Sequence, residues 1–206
     1  EEVKDYWKNK CVLDRWRLMA PKDMETLRTN GIIFIDRKAV RGYGETTVDW
    51  RRLLKVGIGG IKKEAEEALT KLDDAVPGDL EKSFFYRAEI MVADAVIHLA
   101  HRHAELAEQK AAECTDPVRK AELLKIAEVC RWVPEHPART FYEACQSILA
   151  YEYACYMEQN ASSYNLGRLD QYLYPYYKAD KAAGILTDDE AQELLEDMFL
   201  SDYTQS

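Results

Sequence analysis

No apolar stretch in this sequence runs beyond a few residues, so no segment reads as a membrane-spanning helix. The opening EEVKDYWKNK lacks the apolar core of a secretory leader, and none is expected. Basic charge is scarce: 28 Lys and Arg face 37 Asp and Glu, a net charge of -9. That balance argues against phosphate-backbone binding, and no nucleic-acid partner is expected. There is no CxxC pair among Cys11, Cys114, Cys130, Cys145 and Cys155. An odd count without paired spacing argues against a disulfide scaffold and fits a reducing cytoplasm. Internal repeats and low-complexity tracts are also missing. What is present, 47% hydrophobic and 32% charged residues over 206 positions, suits one soluble domain with a real core.

The patterning is helix upon helix. Val3 to Leu18 reads as helical through Tyr6, Trp7, Val12, Leu13, Trp16 and Leu18, whereas Gly31 to Ile35 reads as a short extended run. Arg41 to Thr47 is a loop, because two glycines in three residues break any element. Leu54, Ile58, Ile61, Ala65, Ala68 and Leu72 recur at helical steps and define one face. Past Pro77-Gly78-Asp79, the next helix is expected to bury Phe84, Ala88, Met91, Ala95 and Leu99. Asp116-Pro117 pairs an N-cap with proline at the first helical position, opening a helix that carries Leu123, Leu124, Ala127 and Cys130 and ends at Pro134 and Pro137. Phe141, Cys145, Ile148, Glu152 and Cys155 mark another helix, widened by Ala144 and Leu149. Asn160 to Leu166 interrupts the series with small and polar residues. Thr187-Asp-Asp-Glu190 is a capping box opening a last helix to roughly Leu200. The fold class is therefore mainly α.

Few constellations carry chemistry. His98, His101 and His103 fall within six residues, with Glu105 one turn past His101, but HLAHRHAEL lacks the internal acid of HExxH. A solvated helix edge is the better reading, and no metal is assigned. Cys145 and Cys155 sit mid-helix on or beside the apolar face and read as buried and inert, so no catalytic residue is assigned. Asp49 precedes a helix and suits its positive end. Glu45 follows the double-glycine loop. Ser162 and Ser163 lie in the break between helices, where serines serve either as ligand hydrogen-bonding groups or as ordinary turn residues.

Four blocks together carry a resemblance. They are YGETTVDW from Tyr43 with LLKVG and Gly60-Ile61; Lys120-Ala121-Glu122-Leu123 with Ile126-Ala127 and Cys130; FYEACQ from Phe141; and Gly167-Arg168 followed by Asp170-Gln171-Tyr172-Leu173-Tyr174-Pro175-Tyr176-Tyr177 and Asp180. In order and spacing they resemble the N-terminal half of the glycyl radical enzymes, the pyruvate formate-lyase-like family, from about residue 40 to 196. The match looks closer to the dehydratase and decarboxylase branches. By this resemblance, residues 1–206 are one partial domain, the helical N-terminal portion of a ten-stranded α/β barrel.

The resemblance implies radical C–C, C–O or C–N cleavage of a small polar substrate by the full-length protein. It implies no bound cofactor. Instead, a separate S-adenosylmethionine and iron–sulfur activating enzyme installs a glycyl radical, which passes to a cysteine inside the barrel. The expected partners are the small-molecule substrate, the remainder of the enzyme chain, the activating enzyme and, when full-length, a second copy in a homodimer. Glu45 matches the place where the diol-dehydratase branch often has a histidine that binds substrate hydroxyls. Ser163, with Ser162 beside it, matches a substrate-contacting serine. An acid at 45 would accept a hydrogen bond but repel a carboxylate substrate. Arg41-Gly42-Tyr43 has the wrong spacing for the family's radical-glycine site, and no Gly-Cys-x-Glu-Pro loop occurs. The chain is expected to be a fragment or truncated relative without catalytic power of its own. The alternative is a standalone helical binding module using an aromatic groove around Tyr172 to Tyr177.

Overall fold

The computed structural model describes residues 2–10, 15, 18–21, 23–33, 46–73, 75–159 and 164–203. The chain divides into two compact units, one formed by Glu1–Thr46 with Cys155–Asn165, the other by Thr47–Ala154 with Leu166–Ser206.

In the first unit, helix α1 (Glu2–Trp7) is exposed throughout and gives way to a turn at residues 8–10. Much of the rest of the expected Val3 to Leu18 helix lies outside the described residues. Helix α2 (Met24–Thr29) was not legible in the sequence. Its end corrects the extended reading of Gly31 to Ile35 over the part described. Gly31 takes φ +69°, and the Ile32 and Ile33 N–H groups both donate to the Leu27 carbonyl. A left-handed glycine just past a helix turns the chain back onto its last carbonyls, so 31–33 form a helix stop. Strand β1 (Thr46–Thr47) and strand β2 (Tyr164–Asn165) make a two-stranded sheet.

The second unit is mainly helical, as the patterning indicated. Helix α3 (Trp50–Leu69) is capped by Asp49, whose Oδ1 accepts from Arg52 N at 3.1 Å. It buries Trp50, Leu53, Leu54 and Ile58 in the main core. The sequence suggested one continuous helix, but α3 breaks at Gly57, with φ 69° and ψ 166°. The break strands backbone groups that a helix would pair, and these must be satisfied elsewhere. The segment after the next-but-one helix does so: Ile58 N donates to Pro134 O at 2.8 Å, Gly59 N to Glu135 O at 2.9 Å, and the Leu54 carbonyl accepts from Ala138 N at 3.0 Å.

Helix α4 (Asp79–Glu113) spans 35 residues and packs against α3 and against helix α5 (Pro117–Trp132). Here the expectation fails. Phe84 and Met91 are 60% and 71% exposed, Ala88 and Ala95 are exposed, and Leu99 is only half-buried. The buried face is the opposite one, made of Ala93, Val96, Ala100, Ala104, Ala107 and Ala111. Alanines at alternating three- and four-residue steps let neighbouring helices approach closely, which the larger stripe would prevent. Ala104 and Ala107 form a small second core with Ala127 and Cys130 of α5. The expected cap of α5 is present: Asp116 Oδ1 accepts from Val118 N at 2.9 Å, with Pro117 in the first turn.

Helix α6 (Phe141–Gln159) sinks Phe141, Ala144, Cys145 and Ile148 into the main core. Its first N–H group, at Phe141, donates to the buried Asp180 Oδ2 at 2.7 Å. Helix α7 (Leu169–Ala183) absorbs the tyrosine-rich stretch, with Pro175 inside it on an exposed turn. Gly184, at φ 71°, ends α7, and Ile185 N closes back onto Asp180 O at 3.0 Å. The capping box opens helix α8 (Asp188–Tyr203) reciprocally: Glu190 N donates to Thr187 Oγ1 at 3.2 Å and Thr187 N to Glu190 Oε2 at 2.7 Å. No helix among the described residues is long and apolar enough to cross a membrane.

Candidate functional site

All three sequence-derived candidates, Glu45, Ser162 and Ser163, lie outside the described residues. What the structure defines is the framework next to them. Strands β1 and β2 begin one residue after Glu45 and one after Ser163, and these strands pair with each other. Tyr164 at the start of β2 is braced within its unit: its hydroxyl donates to the Cys155 carbonyl at 3.0 Å, and its ring meets Tyr156 edge-on at 4.9 Å.

The GRLDQY block then turns the chain from strand to helix, and each of its polar members has a structural task. Gly167 adopts φ 62°, a conformation that a side chain would strain. The Arg168 guanidinium grips both Asp170 oxygens at 3.0 and 2.9 Å, which holds that carboxyl below its usual range. Gln171 Oε1 accepts from Arg51 at 2.6 Å, tying α7 to α3. Tyr172 is buried, and its hydroxyl donates to the Leu166 carbonyl at 2.7 Å. The most specific stretch of the sequence is thus spent on the turn into α7 and on tying α7 to α3.

Further along α7 the tyrosines divide. Tyr176 reaches the core and donates to the Leu54 carbonyl at 3.2 Å, adding a second partner at the α3 break. Tyr177 and Lys181 both donate to Asp188 Oδ1 at 2.5 Å, locking α7 to the start of α8. Lys181 first and Tyr177 second hold the Asp188 carboxyl below its ordinary range. Tyr174 stays 57% exposed and lines, with Leu173, Tyr177, Leu195 and Phe199, an apolar groove of about 500 Å³ between α7 and α8.

Two of the described cysteines are sealed from solvent. They are free thiols, with Cys130 and Cys145 buried. Desolvation pushes Cys145 up to about 12 and raises Cys130 as well, so both stay protonated at neutral pH. His101 faces Glu135 across 3.2 Å rather than Glu105, and no cluster of three potential metal ligands exists among the described residues.

One residue was read from the sequence only as a member of a helix stripe. Glu152 lies on the apolar stripe of α6 with no solvent exposure, close enough to the Tyr172 hydroxyl to add to the upward shift that burial gives it. An acid four residues after Ile148 and seven after Cys145 was the available signal: a buried carboxylate is rarely placed without a task.

The described residues form a mainly helical module. The pyruvate formate lyase-like family model matches residues 1–205, and the chain belongs to that family, which uses a glycyl radical. It is 39% identical over 209 residues to the isethionate sulfite-lyase of Oleidesulfovibrio alaskensis, covering 97% of this chain and 25% of that protein. Among solved structures, it resembles one from work on 1,2-propanediol dehydration in Roseburia inulinivorans (TM-score 0.81, 33% identity, 96% of this chain and 25% of that one). A second is the hydroxyproline dehydratase of Clostridioides difficile with trans-4-hydroxy-L-proline bound (TM-score 0.81, 32% identity, 98% and 26%). The described helices match the N-terminal quarter of these enzymes, and the chain spans about a quarter of its relatives' length.

Proposed function

We propose that these residues form one partial domain of a glycyl radical lyase. It supplies substrate-binding positions to a barrel that cleaves a C–C, C–O or C–N bond of a small hydroxylated molecule. The family match over residues 1–205 carries this reading. The named compounds of the relatives, isethionate, 1,2-propanediol and hydroxyproline, support the substrate class, since each is small and bears a hydroxyl. Glu45 accepts a hydrogen bond from that hydroxyl, and Ser162 and Ser163 supply further hydrogen-bonding groups. A carboxylate at 45 disfavours an anionic group beside it, so the substrate is neutral or cationic at that point. The reacting cysteine and radical glycine are not among the described residues, and no chemical step is assigned to this chain. The activating enzyme, a homodimeric partner and a cytoplasmic location belong to the same proposal.

The test uses the natural polypeptide activated without oxygen, with Glu45→Gln and Ser163→Ala compared in kcat and KM. A rise in KM of about tenfold or more for each, the size expected for losing one hydrogen bond to a substrate, supports the assignment. Unchanged KM in both variants sinks it. A second reading, a helical binding module, is favoured only by the apolar groove between α7 and α8. No turnover by the natural polypeptide, together with a bound partner that Phe199→Glu releases, would select it.

A further inference from the structure

Three ion pairs leave helix α4 along one line. Asp94, His101 and Glu108 stand at seven-residue steps, close to two helical turns each, so they share a face. Each reaches a different element. Asp94 takes Lys62 of α3 at 2.6 Å, and Glu108 takes Arg131 of α5 at 2.8 Å. Between them, His101 Nε2 stands 3.2 Å from Glu135 Oε2. The outer two pairs join a carboxylate to a Lys or an Arg, residue types charged throughout the neutral range. The central one joins a carboxylate to an imidazole, so it is an ion pair only when the imidazole is protonated. Its side chains are 36% and 30% exposed, so screening by solvent is incomplete.

Glu135 belongs to residues 133–140, the strap that links α5 to α6 and closes the break in α3. Backbone bonds to Leu54, Ile58 and Gly59 seat it there. A Cβ at Gly59 would stand 2.9 Å from the Glu135 carbonyl oxygen, so strap and helix are in direct contact. The two ends of the strap are fastened differently. At its far end Arg139, a type that is always charged, binds the buried Glu143 and lies over the Trp132 ring at 4.2 Å. At its near end the Glu135 side chain has His101.

The other charged and titratable groups around His101 are accounted for. Lys62 from α3 is held by Asp94, and Arg131 from α5 by Glu108. On the strap, the His136 ring lies against Trp132 at 4.3 Å. On α4 itself, Arg102 adjoins His101, and His98 and Glu105 are one turn away on either side.

We propose that His101 and Glu135 form a proton-operated latch on the strap across the α3 break. Uptake of a proton by the imidazole fastens residues 133–140 against Ile58 and Gly59, and its loss loosens them. The fastened state holds more protons than the open one, so closure is favoured as pH falls and weakened as pH rises through the histidine range. This goes beyond the substrate reading and does not depend on it.

Hydrogen exchange of the natural polypeptide, corrected for the intrinsic pH dependence of exchange, reads the opening at the Ile58, Gly59 and Ala138 amides. From about pH 8 down to about pH 5.5, protection at these amides should rise roughly threefold relative to the Ile148 amide within α6, the worth of a partly exposed ion pair. His101→Gln and Glu135→Gln should each abolish the rise, and His136→Gln should keep it. His101→Lys, which carries its charge at both ends of that range, should keep the strap fastened throughout. No rise in the unaltered protein overturns the proposal. So does a rise that persists in His101→Gln, in Glu135→Gln or in His101→Lys, or one that is lost in His136→Gln.

Discussion

A methyl group at Gly57 would stand 2.2 Å from the Glu135 carbonyl oxygen and 2.7 Å from the His136 carbonyl carbon. Both neighbours are backbone, and Gly57 also sits at φ +69°. Gly57→Ala should therefore cost about 3 kcal/mol or more, combining left-handed strain with displacement of the 134–138 segment. Gly184→Ala shares the positive φ but meets nothing within 4 Å, so only the strain of about 1 to 2 kcal/mol remains. Urea unfolding of the two variants separates crowding from strain, and equal losses would refute the crowding argument. The Cys145 thiol supplies a prediction in pH. Its ordinary value of 9.0 is pushed up to about 12 by burial. Below pH 9 the thiol is neutral in both states and its contribution is complete. As pH rises, the unfolded thiol ionises first, so stability is lost between about pH 9 and 12. Unfolding midpoints should fall across that window, and more gently in Cys145→Ala; parallel declines would show that Cys145 is not responsible.

At the scale of elements, what could be read from sequence was what is local. The Asp116 cap and the Thr187–Glu190 box each depend on residues within three positions, and both form. The α3 break was not legible, because its orphaned groups find partners beyond α5, at Pro134 to Ala138. Helix α4 shows a second reason. Periodicity finds a stripe but does not say which of two stripes faces the neighbours, and the larger apolar one was chosen. The alanine face is the one buried where α4 packs on α3 and α5, and small side chains let helices approach closely. This yields an opposed pair of predictions. Ala104→Leu, at a position with no exposure, should destabilise by about 1 to 3 kcal/mol through overpacking. Phe84→Ala should change the stability of the monomer by less than about 0.5 kcal/mol. Thermal unfolding of dilute protein checks both, and a large loss in Phe84→Ala would restore the original assignment. Asp180 is a longer-range cap: its carboxylate leaves α7 to take the first N–H of α6. Asp180→Ala should cost about 2 to 3 kcal/mol, since a buried N–H is left unpaired.

At the scale of the whole molecule, the division of labour follows from where polar groups were placed. Arg168, Asp170, Gln171 and Tyr172 read as a signature, yet Arg168, Asp170 and Tyr172 are spent on the turn into α7 and Gln171 on tying α7 to α3. That is why resemblance, and not residue chemistry, pointed to Glu45, Ser162 and Ser163: the diagnostic residues are spent on structure, and the proposed contacts are ordinary serines and a loop acid. Glu152 shows the converse, a residue whose place on the stripe was readable but whose influence on Tyr172, twenty positions away on another helix, was not. The same placement predicts the behaviour of these 206 residues tested by themselves. Their buried thiols, Cys130 and Cys145, are held protonated by desolvation, and no Gly-Cys-x-Glu-Pro sequence is present. Incubated without oxygen with an activating enzyme and S-adenosylmethionine, this polypeptide should give no glycyl doublet in electron paramagnetic resonance and no turnover of 1,2-propanediol or hydroxyproline. It should nevertheless unfold cooperatively, because the residues of the main core, from Trp50 to Met198, all lie within its second unit. A radical signal from these residues alone would mean that a glycine of this quarter serves as the radical site, and the binding role proposed for the segment would give way to a catalytic one.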